Sequence, residues 1–350
     1  MSCLACVGGG AVRDDTHRLL LWAPQAHTRK KLRSIFTAAG VQVDDRTADG
    51  LLDIRKPDLS ALAGAIRDAV YAAELEDTRA LVLDTDAEPD LRQFSAMTTL
   101  ERLLSRAEAL WVDDLLDEKR YVSYMQPIVA MDAAHSVFGY EFLFRGQEID
   151  GSLIPPTRIF GAARDPGLML NLDRVARINA VETAARHTLK TKLFINFMPR
   201  SIYDPDFCLR STAAAIERAG VSPDQVVFEV VEIERMEDYD HLLRISDFYR
   251  KAGFEIALDD FGSGYNNLST LLTLKPNYIK LDKILTSDLD TDESKRRLVK
   301  SLVATAHEAG VIIIAEGVET QVTTDILRDM KVDYCQGYFF GRPQPMPLAA

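Results

Sequence analysis

The stretch from Phe254 to Asp282, FEIALDDFGSGYNNLSTLLTLKPNYIKLD, decides the fold class. An apolar strand pattern at 254–259 ends in acidic residues, a helical pattern spans 265–274, and a second strand pattern spans 278–282. A strand, a helix and a strand in this order form the repeating unit of a parallel sheet. Both strands are apolar enough to be buried on both faces, so the stretch predicts an α/β fold.

The same alternation continues outward from this stretch, from Tyr121 nearly to the end of the chain. Further strand patterns occur at 121–130, 138–145, 192–197, 226–231, 311–316 and 334–339. Eight strands with intervening helices in about 230 residues fit a TIM-type (β/α)8 barrel. An open doubly wound sheet is the structural alternative.

The part of the chain before the barrel predicts a small α/β domain. Residues 1–16 contain three consecutive glycines and predict a flexible leader, and residues 17–100 alternate strand and helix patterns. Residues 101–120 predict a connecting helix, and residues 121–350 make up the barrel. The small domain lacks the acidic strand ends of the barrel, so we expect it to be regulatory or sensory.

Composition and charge restrict the class of function. The 350 residues are 47% hydrophobic and 27% charged, as in ordinary globular proteins. Acidic residues outnumber Lys and Arg by 53 to 41, which gives a net charge of −12 and argues against binding of long nucleic acid. Every apolar run is much shorter than the roughly 20 residues of a membrane helix, so we expect no membrane span.

The four cysteines favour a reducing, cytoplasmic location. They are too few and too scattered for a disulfide framework in a chain of this length. Cys3 and Cys6 form a C-x-x-C pair, but a structural zinc site needs two more ligands, and the next cysteine is Cys208. We therefore expect Cys3 and Cys6 to lie in a solvated, unstructured start.

Polar side chains recur at the ends of the barrel strands. Seven of them lie within or at the C-terminal end of seven different predicted strands: Glu141, Asn196, Glu229, Asp259, Lys280, Glu316 and Gln336. In a barrel these side chains point toward the C-terminal mouth, where barrel enzymes place their chemistry. Carboxylates so close together repel unless cations separate them, and oxygen ligands of this kind suit Mg²⁺ or Mn²⁺.

The adjacent pair Asp259 and Asp260 adds a second constraint. In a regular strand the two side chains would face opposite ways, so both reach one site only if the strand ends between them. We expect Gly262 and Gly264 to supply that break. One carboxylate could then bridge two metal ions, an arrangement that clamps the attacking and leaving oxygens of a phosphodiester. Lys280 lies between two apolar neighbours and is expected to point inward, where it could orient the attacking water.

Eight motifs occur in order along the barrel region. They are Gln126-Pro-Ile-Val129, Tyr140-Glu-Phe-Leu-Phe-Arg145, Asn196-Phe-Met-Pro-Arg200, Phe228-Glu-Val-Val-Glu232, Asp259-Asp-Phe-Gly-Ser-Gly-Tyr265, Tyr278-Ile-Lys-Leu-Asp282, Ala315-Glu-Gly-Val-Glu319 and Gln336-Gly-Tyr338. In this order they resemble the motifs of the EAL-domain cyclic di-GMP phosphodiesterases, over about residues 118–345. Any one motif is a weak signal, whereas eight in the right order are highly specific. The resemblance implies a metal-dependent barrel enzyme that opens cyclic di-GMP to linear pGpG.

The resemblance also implies the metal ligands. Glu141, Asn196, Glu229 and Asp259 would bind a first metal ion, and Asp259 and Asp260 would hold a second. Because every acid that active members of the family use is present, the resemblance favours an active enzyme.

The remaining roles follow from the same resemblance. Lys280 and Glu316 would act around the attacking water, and Glu232 would anchor the loop that carries Asp260. Arg145 would meet a phosphate of the substrate, Gln126 would contact its guanine, and Gln336 would help fix the site. A homodimer is expected on the same ground.

The sequence departs from the family at the motif that gives it its name. Glu-Ala-Leu is replaced by Glu141-Phe142-Leu143, and strand alternation predicts that Phe142 lies between the strand and the surrounding helices.

Two alternative functions stay open. A cyclic di-GMP sensor would bind without cutting, although such members typically lose metal ligands. An enolase-type enzyme would also gather acids and lysines at barrel strand ends around Mg²⁺.

Overall fold

The computed structural model describes residues 17–46, 50–84, 87, 89–202, 204–231, 239–262 and 268–348. The predicted leader with Cys3 and Cys6, the expected loop anchor Glu232 and the expected break at Gly264 lie outside these residues. The chain divides into two compact units. The first is Met1–Arg120 with Ile154–Leu172, and the second is Tyr121–Leu153 with Asp173–Ala350.

The first unit is built on a five-stranded antiparallel sheet with the order β2-β3-β1-β4-β5. Its strands are β1 (His17–Trp22), β2 (Gln42–Arg46), β3 (Leu51–Arg55), β4 (Arg79–Asp84) and β5 (Thr98–Thr99). One helix, α1 (Ala26–Ala38), connects β1 to β2, and two helices, α2 (Leu59–Ala69) and α3 (Ala72–Asp77), connect β3 to β4. The small α/β domain is confirmed, but sequence analysis missed β2 and β3. The sequence of β2, QVDDR, carries too few apolar residues to give a strand signal.

The segment expected as one connecting helix forms two shorter helices. These are α4 (Leu100–Glu108) and α5 (Leu110–Asp117), which meet at Ala109. The apolar face of α4, including Leu103 and Leu104, packs in the same core cluster as β1, β3 and the helices of the first unit. Helix α6 (Pro156–Ala162) and the start of α7 (Pro166–Arg186) belong to this unit as well.

The second unit is a closed barrel of eight strands, as the sequence predicted. They are β6 (Tyr121–Ala130), β7 (Val137–Gln147), β9 (Lys192–Phe197), β10 (Val226–Val230), β11 (Glu255–Phe261), β12 (Tyr278–Leu281), β13 (Ile312–Ala315) and β14 (Tyr334–Gln336). The sheet runs β6-β14-β13-β12-β11-β10-β9-β7 and closes through pairing of β6 with β7; the short β8 (Leu153–Ile154) extends it beyond β7. The open doubly wound alternative is therefore wrong.

One strand departs from an all-parallel barrel. Strand β6 is antiparallel to both of its neighbours, β7 and β14, whereas the other barrel pairs are parallel. The connection between β6 and β7 is too short for a crossover helix, so the two strands form a hairpin. This hairpin places Gln126 directly opposite Glu141.

The helices that follow α7 lie between the parallel strands in the order of the chain. They are α8 (Pro205–Cys208), α9 (Arg210–Arg218), α10 (Tyr239–Lys251), α11 (Leu268–Leu274), α12 (Lys283–Thr286), α13 (Glu293–Glu308) and α14 (Gln321–Asp329). Among the described residues, no helix combines the length and the apolar character needed to cross a bilayer.

The barrel core positions the polar residues. One buried cluster contains Ile128, Phe194, Val227, Ala257, Tyr278 and Ile314. Each of these residues is two positions from a predicted site residue in the sequence, and side chains two positions apart along a strand share a face. An apolar layer therefore lies next to a polar layer inside the barrel. Packing of the apolar layer fixes the positions of the strands and so the positions of the polar side chains.

Candidate active site

Lys280 lies at the centre of the polar layer. Its side chain is 1% exposed, and Nζ contacts one carboxylate from each of four other strands or strand ends. The distances are 2.7 Å to Glu316 Oε1, 2.9 Å to Glu229 Oε1, 3.2 Å to Asp259 Oδ1 and 3.4 Å to Glu141 Oε2. Burial alone would lower the pKa of Lys280, but the surrounding carboxylates raise it well above its usual value.

Glu229 is the most deeply buried acid of this cluster. The residue is 0% exposed, and its Oε2 has no hydrogen-bond partner among the described residues. Burial, together with repulsion from Glu141 and Asp259, raises the pKa of Glu229 well above its usual value even though Lys280 opposes this. A buried, unpartnered carboxylate oxygen is costly unless a cation completes its surroundings. The donor set therefore fits a metal ion.

Glu141 is held in place by two amide side chains. Asn196 Nδ2 donates to Glu141 Oε1 at 3.1 Å, and Gln336 Nε2 donates to Glu141 Oε2 at 2.7 Å. Burial would raise the pKa of Glu141, but Lys280 and these two hydrogen bonds lower it overall. Gln336 Nε2 also donates to Gln126 Oε1 at 3.1 Å. Gln126 is buried and supports Gln336 here, a contact that its expected role toward guanine did not include.

The paired aspartates reach one site through a distortion of β11. The register between β11 and β12 shifts after Leu258, so that Asp259 and Asp260 together oppose Lys280. Asp260 has φ of 49°, in the left-handed region that aspartate tolerates better than most residues. The strand itself continues to Phe261. The expectation that the strand ends between the two aspartates is therefore wrong, because a bulge at Asp260 brings both of them to one site.

Three acids could hold a cation together. Asp259, Asp260 and Glu316 each offer an oxygen atom within 4.8 Å of the others. Burial raises the pKa of Glu316 to about 8, and loss of water contact together with the neighbouring Asp259 and Asp282 raises that of Asp260 to about 7. Carboxyls with such values hold protons near neutral pH that a bound cation would displace.

A cavity of about 310 Å³ opens over this cluster. Its lining includes Gln126, Glu141, Leu143, Asp259, Lys280, Glu316 and Gln336. Leu143 lines it and Phe142 does not, in agreement with strand alternation at Glu141. Arg145 is absent from the lining, and its Nη1 donates to the carbonyl of Phe144 at 2.9 Å.

Sequence reasoning assigned no role to three residues at the mouth of this cavity. Lys283 and Glu319 line it and form an ion pair at 2.5 Å, and Tyr338 lines it with half of its surface exposed. Glu319 and Tyr338 stand inside quoted motifs. Lys283 is the residue that follows the Tyr278–Asp282 motif, so its position after a strand end was the available signal.

A buried pair on α7 was also missed. Asp173 accepts hydrogen bonds from the backbone N–H of Met198 at 3.1 Å and from Ser201 Oγ at 2.6 Å. Arg177, which is 1% exposed, donates to Asp173 and, through Nε, to Thr212 Oγ1 at 3.2 Å. The pair therefore fixes the loop that begins two residues after Asn196.

Comparison with known proteins places this barrel in a family. The chain belongs to the EAL domain family, whose model matches residues 109–343. The chain is 26% identical over 310 residues to a probable cyclic di-GMP phosphodiesterase, PdeA, of Escherichia coli K12, which covers 88% of this chain and 41% of that protein. It is 30% identical over 261 residues to the probable cyclic di-GMP phosphodiesterase PdeG of the same organism, which covers 72% and 48%.

A solved structure supports the same assignment. A standalone EAL protein from Vibrio cholerae O395, in its c-di-GMP bound form, superposes with a TM-score of 0.60 at 32% identity, covering 64% of this chain and 92% of that one. The chain spans less than half the length of the two curated relatives described above.

Proposed function

We propose that this protein is a metal-dependent phosphodiesterase that hydrolyses cyclic di-GMP to linear pGpG. The observation that carries the proposal is the cluster of four buried or half-buried carboxylates around Lys280, in which Glu229 Oε2 has no hydrogen-bond partner among the residues that the structure describes. Membership of the EAL domain family and the names of its relatives support the substrate class.

The ligand roles are those that the family resemblance implies, and the oxygen donors present support them. Glu141, Asn196, Glu229 and Asp259 would hold one cation, and Asp259 with Asp260 a second. Oxygen donors of this kind suit Mg²⁺ or Mn²⁺. Such ions, when bound, polarise a phosphodiester and lower the pKa of water.

The chain's own residues would orient and neutralise the reacting groups. Water adds to phosphorus, the bond from phosphorus to one ribose 3′ oxygen breaks, and the leaving oxygen takes a proton, which yields pGpG. Lys280 Nζ, which lies 2.7 Å from Glu316 Oε1, would hold the attacking water against that carboxylate. Gln336 and Asn196 keep Glu141 in one orientation throughout, because each donates to a different oxygen of it.

Product analysis tests the proposal directly. The purified protein is incubated with cyclic di-GMP and Mg²⁺ or Mn²⁺, with and without a chelator, and the nucleotides are separated. We expect pGpG with metal and none with the chelator. Ca²⁺ prefers more ligands at longer distances, so it should support substrate binding but poor chemistry. Full turnover in excess chelator would contradict the metal-dependent mechanism.

The same experiment separates the alternatives. A sensor would bind cyclic di-GMP and return it uncut. An enolase-type enzyme would leave cyclic di-GMP intact and abstract a carbon-bound proton instead.

We further propose that the first unit is regulatory, that the protein is a homodimer and that it acts in the cytoplasm. Sedimentation and cell fractionation test the last two points.

A further inference from the structure

A second cavity lies within the first unit and shares no lining residue with the catalytic cavity. Its volume is about 530 Å³. It lies between the ends of β1 and β4, the segment 93–98 and one face of α4, and Asp165 of the same unit completes the wall. This volume is within the range of sites for small organic molecules.

Two guanidinium groups face this cavity from α4. Arg102 and Arg106 are four residues apart on the helix, so they lie on the same face one turn apart. Each is held by an acid: Arg102 Nε lies 2.6 Å from Asp165 Oδ2, and Arg106 Nη2 lies 3.0 Å from Asp113 Oδ1. These pairs fix both arginines in orientation before any ligand binds.

Each guanidinium retains unused donors. Arg106 Nη1 is buried and has no hydrogen-bond partner among the described residues. The side chain of Arg102 is 55% exposed, and within the described part of the chain its guanidinium donates through Nε, to Asp165. The second oxygen of Asp165, Oδ1, accepts from the backbone N–H groups of Gly167 and Leu168, so both oxygens of this carboxylate have partners within the protein. A buried unpaired donor is costly, so an acceptor at this place would stabilise the folded unit.

Part of the lining is apolar. Leu83 and Leu103 are buried residues of the lining, and Val82 and Met97 stand beside them. Asp84, also in the lining, is exposed at the end of β4. A ligand would therefore turn its charge toward Arg102 and Arg106 and its apolar body toward the apolar side chains of the lining.

We propose that this cavity binds a small organic anion, a molecule with a phosphate or carboxylate group and an apolar or aromatic body. The anionic group is bound by Arg102 and Arg106, because planar guanidinium groups match phosphate and carboxylate oxygens. This inference does not depend on the phosphodiesterase activity, since it uses none of the residues of the barrel cluster.

Titration calorimetry on the full chain, in excess chelator, tests the proposal with four probes: phenyl phosphate, benzoate, inorganic phosphate and benzylamine. We expect saturable one-to-one binding of phenyl phosphate or benzoate, and the stronger of the two identifies the anionic group. Inorganic phosphate should bind at least about tenfold more weakly, because it lacks the apolar body. Benzylamine should not bind.

A matched pair of variants locates the binding. Arg102→Gln should weaken the best probe at least about tenfold, the loss expected for a charge-assisted hydrogen bond. Arg79→Gln, an exposed arginine of the same unit outside the cavity lining, should leave binding unchanged. Glu229→Gln should leave it unchanged too, which separates this cavity from the catalytic cluster. Absence of binding for every probe at about 1 mM, or equal binding by Arg102→Gln and the parent protein, would overturn the proposal.

Discussion

At the scale of single residues, Lys280 is both the centre of charge and the proposed partner of the attacking water. Lys280→Met keeps the length of the side chain and removes the ammonium. We expect kcat to fall by roughly 10² to 10³, the usual loss when one preorganised donor that stabilises charge in the transition state is removed, with a much smaller change in KM. Steady-state kinetics measure both, and Lys300→Met on the exposed face of α13 is the control. Normal turnover by Lys280→Met would remove Lys280 from the mechanism.

The ionisation of Glu316 and Asp260 should make metal affinity depend on pH. Their pKa values, raised to about 8 and about 7 in the metal-free protein, mean that both carboxyls are substantially protonated at pH 6.5. A cation must displace these protons, so metal affinity should rise as pH increases through about 7 and 8 and level off above them. Calorimetry in buffers of different ionisation enthalpy counts the released protons. Glu316→Gln should release fewer, and affinity independent of pH would contradict these protonation states.

Phe142 tests the strand register around Glu141. The ring is 4% exposed and absent from the cavity lining, so it packs on the outer side of β7. Phe142→Ala should cost roughly 3 to 5 kcal/mol of stability through the cavity it leaves. Turnover at 25 °C should stay within about tenfold, because Glu141 is disturbed only indirectly. Thermal melts and initial rates on one preparation measure both, with half-exposed Leu298→Ala as the control. Lost turnover at unchanged stability would mean that Phe142 faces the substrate.

At the scale of elements, α7 fixes the loop after β9. Asp173→Asn leaves Arg177 buried without its charge partner, which costs about 3–5 kcal/mol when a buried ion pair is broken. The double variant Asp173→Asn/Arg177→Met removes that unpaired charge and should regain much of the stability. Both variants weaken the contact to Met198, so we expect metal affinity to fall by about 10–100-fold in each. Thermal melts and metal titrations separate the two effects. Unchanged metal affinity in both variants would show that α7 serves stability alone.

The barrel strands were predictable from sequence because their apolar residues are also the residues that the fold buries. The barrel strands carry continuous apolar runs, and the polar residue at each end stands out against them. The bulge at Asp260 was not predictable, because nothing in the sequence requires the left-handed backbone conformation that Asp260 adopts. The nearby glycines offered a simpler explanation of how both aspartates reach one site. The support of Gln336 by Gln126 depends on β6 running antiparallel, and a strand's direction relative to its neighbours has no signature in its own residues. Asp173 and Arg177 were not predictable for a different reason: opposite charges four residues apart are typical of the exposed face of a helix, and the sequence does not show that this pair is buried.

At the scale of the whole molecule, the boundary between the two units does not follow the chain. Residues 154–172 come between β7 and the rest of the barrel, yet they belong to the first unit. Two contacts show how they are held there. The guanidinium of Arg158 lies 5.2 Å from the ring centroid of Trp111, and Asp165 pairs with Arg102. A cut near residue 105 would divide α4, whose apolar residues are part of the first unit's core.

Chains that start at residues 109 and 121 therefore test the organisation of the molecule. Both lose Arg102, the partner of Asp165, but only the longer one keeps Trp111 beneath Arg158. We expect the chain from 121 to melt at least about 2–4 °C below the chain from 109, the shift that 1 kcal/mol produces in a domain of 150–250 residues. Trp111→Ala in the longer chain should reproduce most of that loss. If the first unit is regulatory, both chains should still cleave cyclic di-GMP at an altered rate. A chain that folds and binds metal yet leaves cyclic di-GMP intact would make the first unit part of the catalytic machinery.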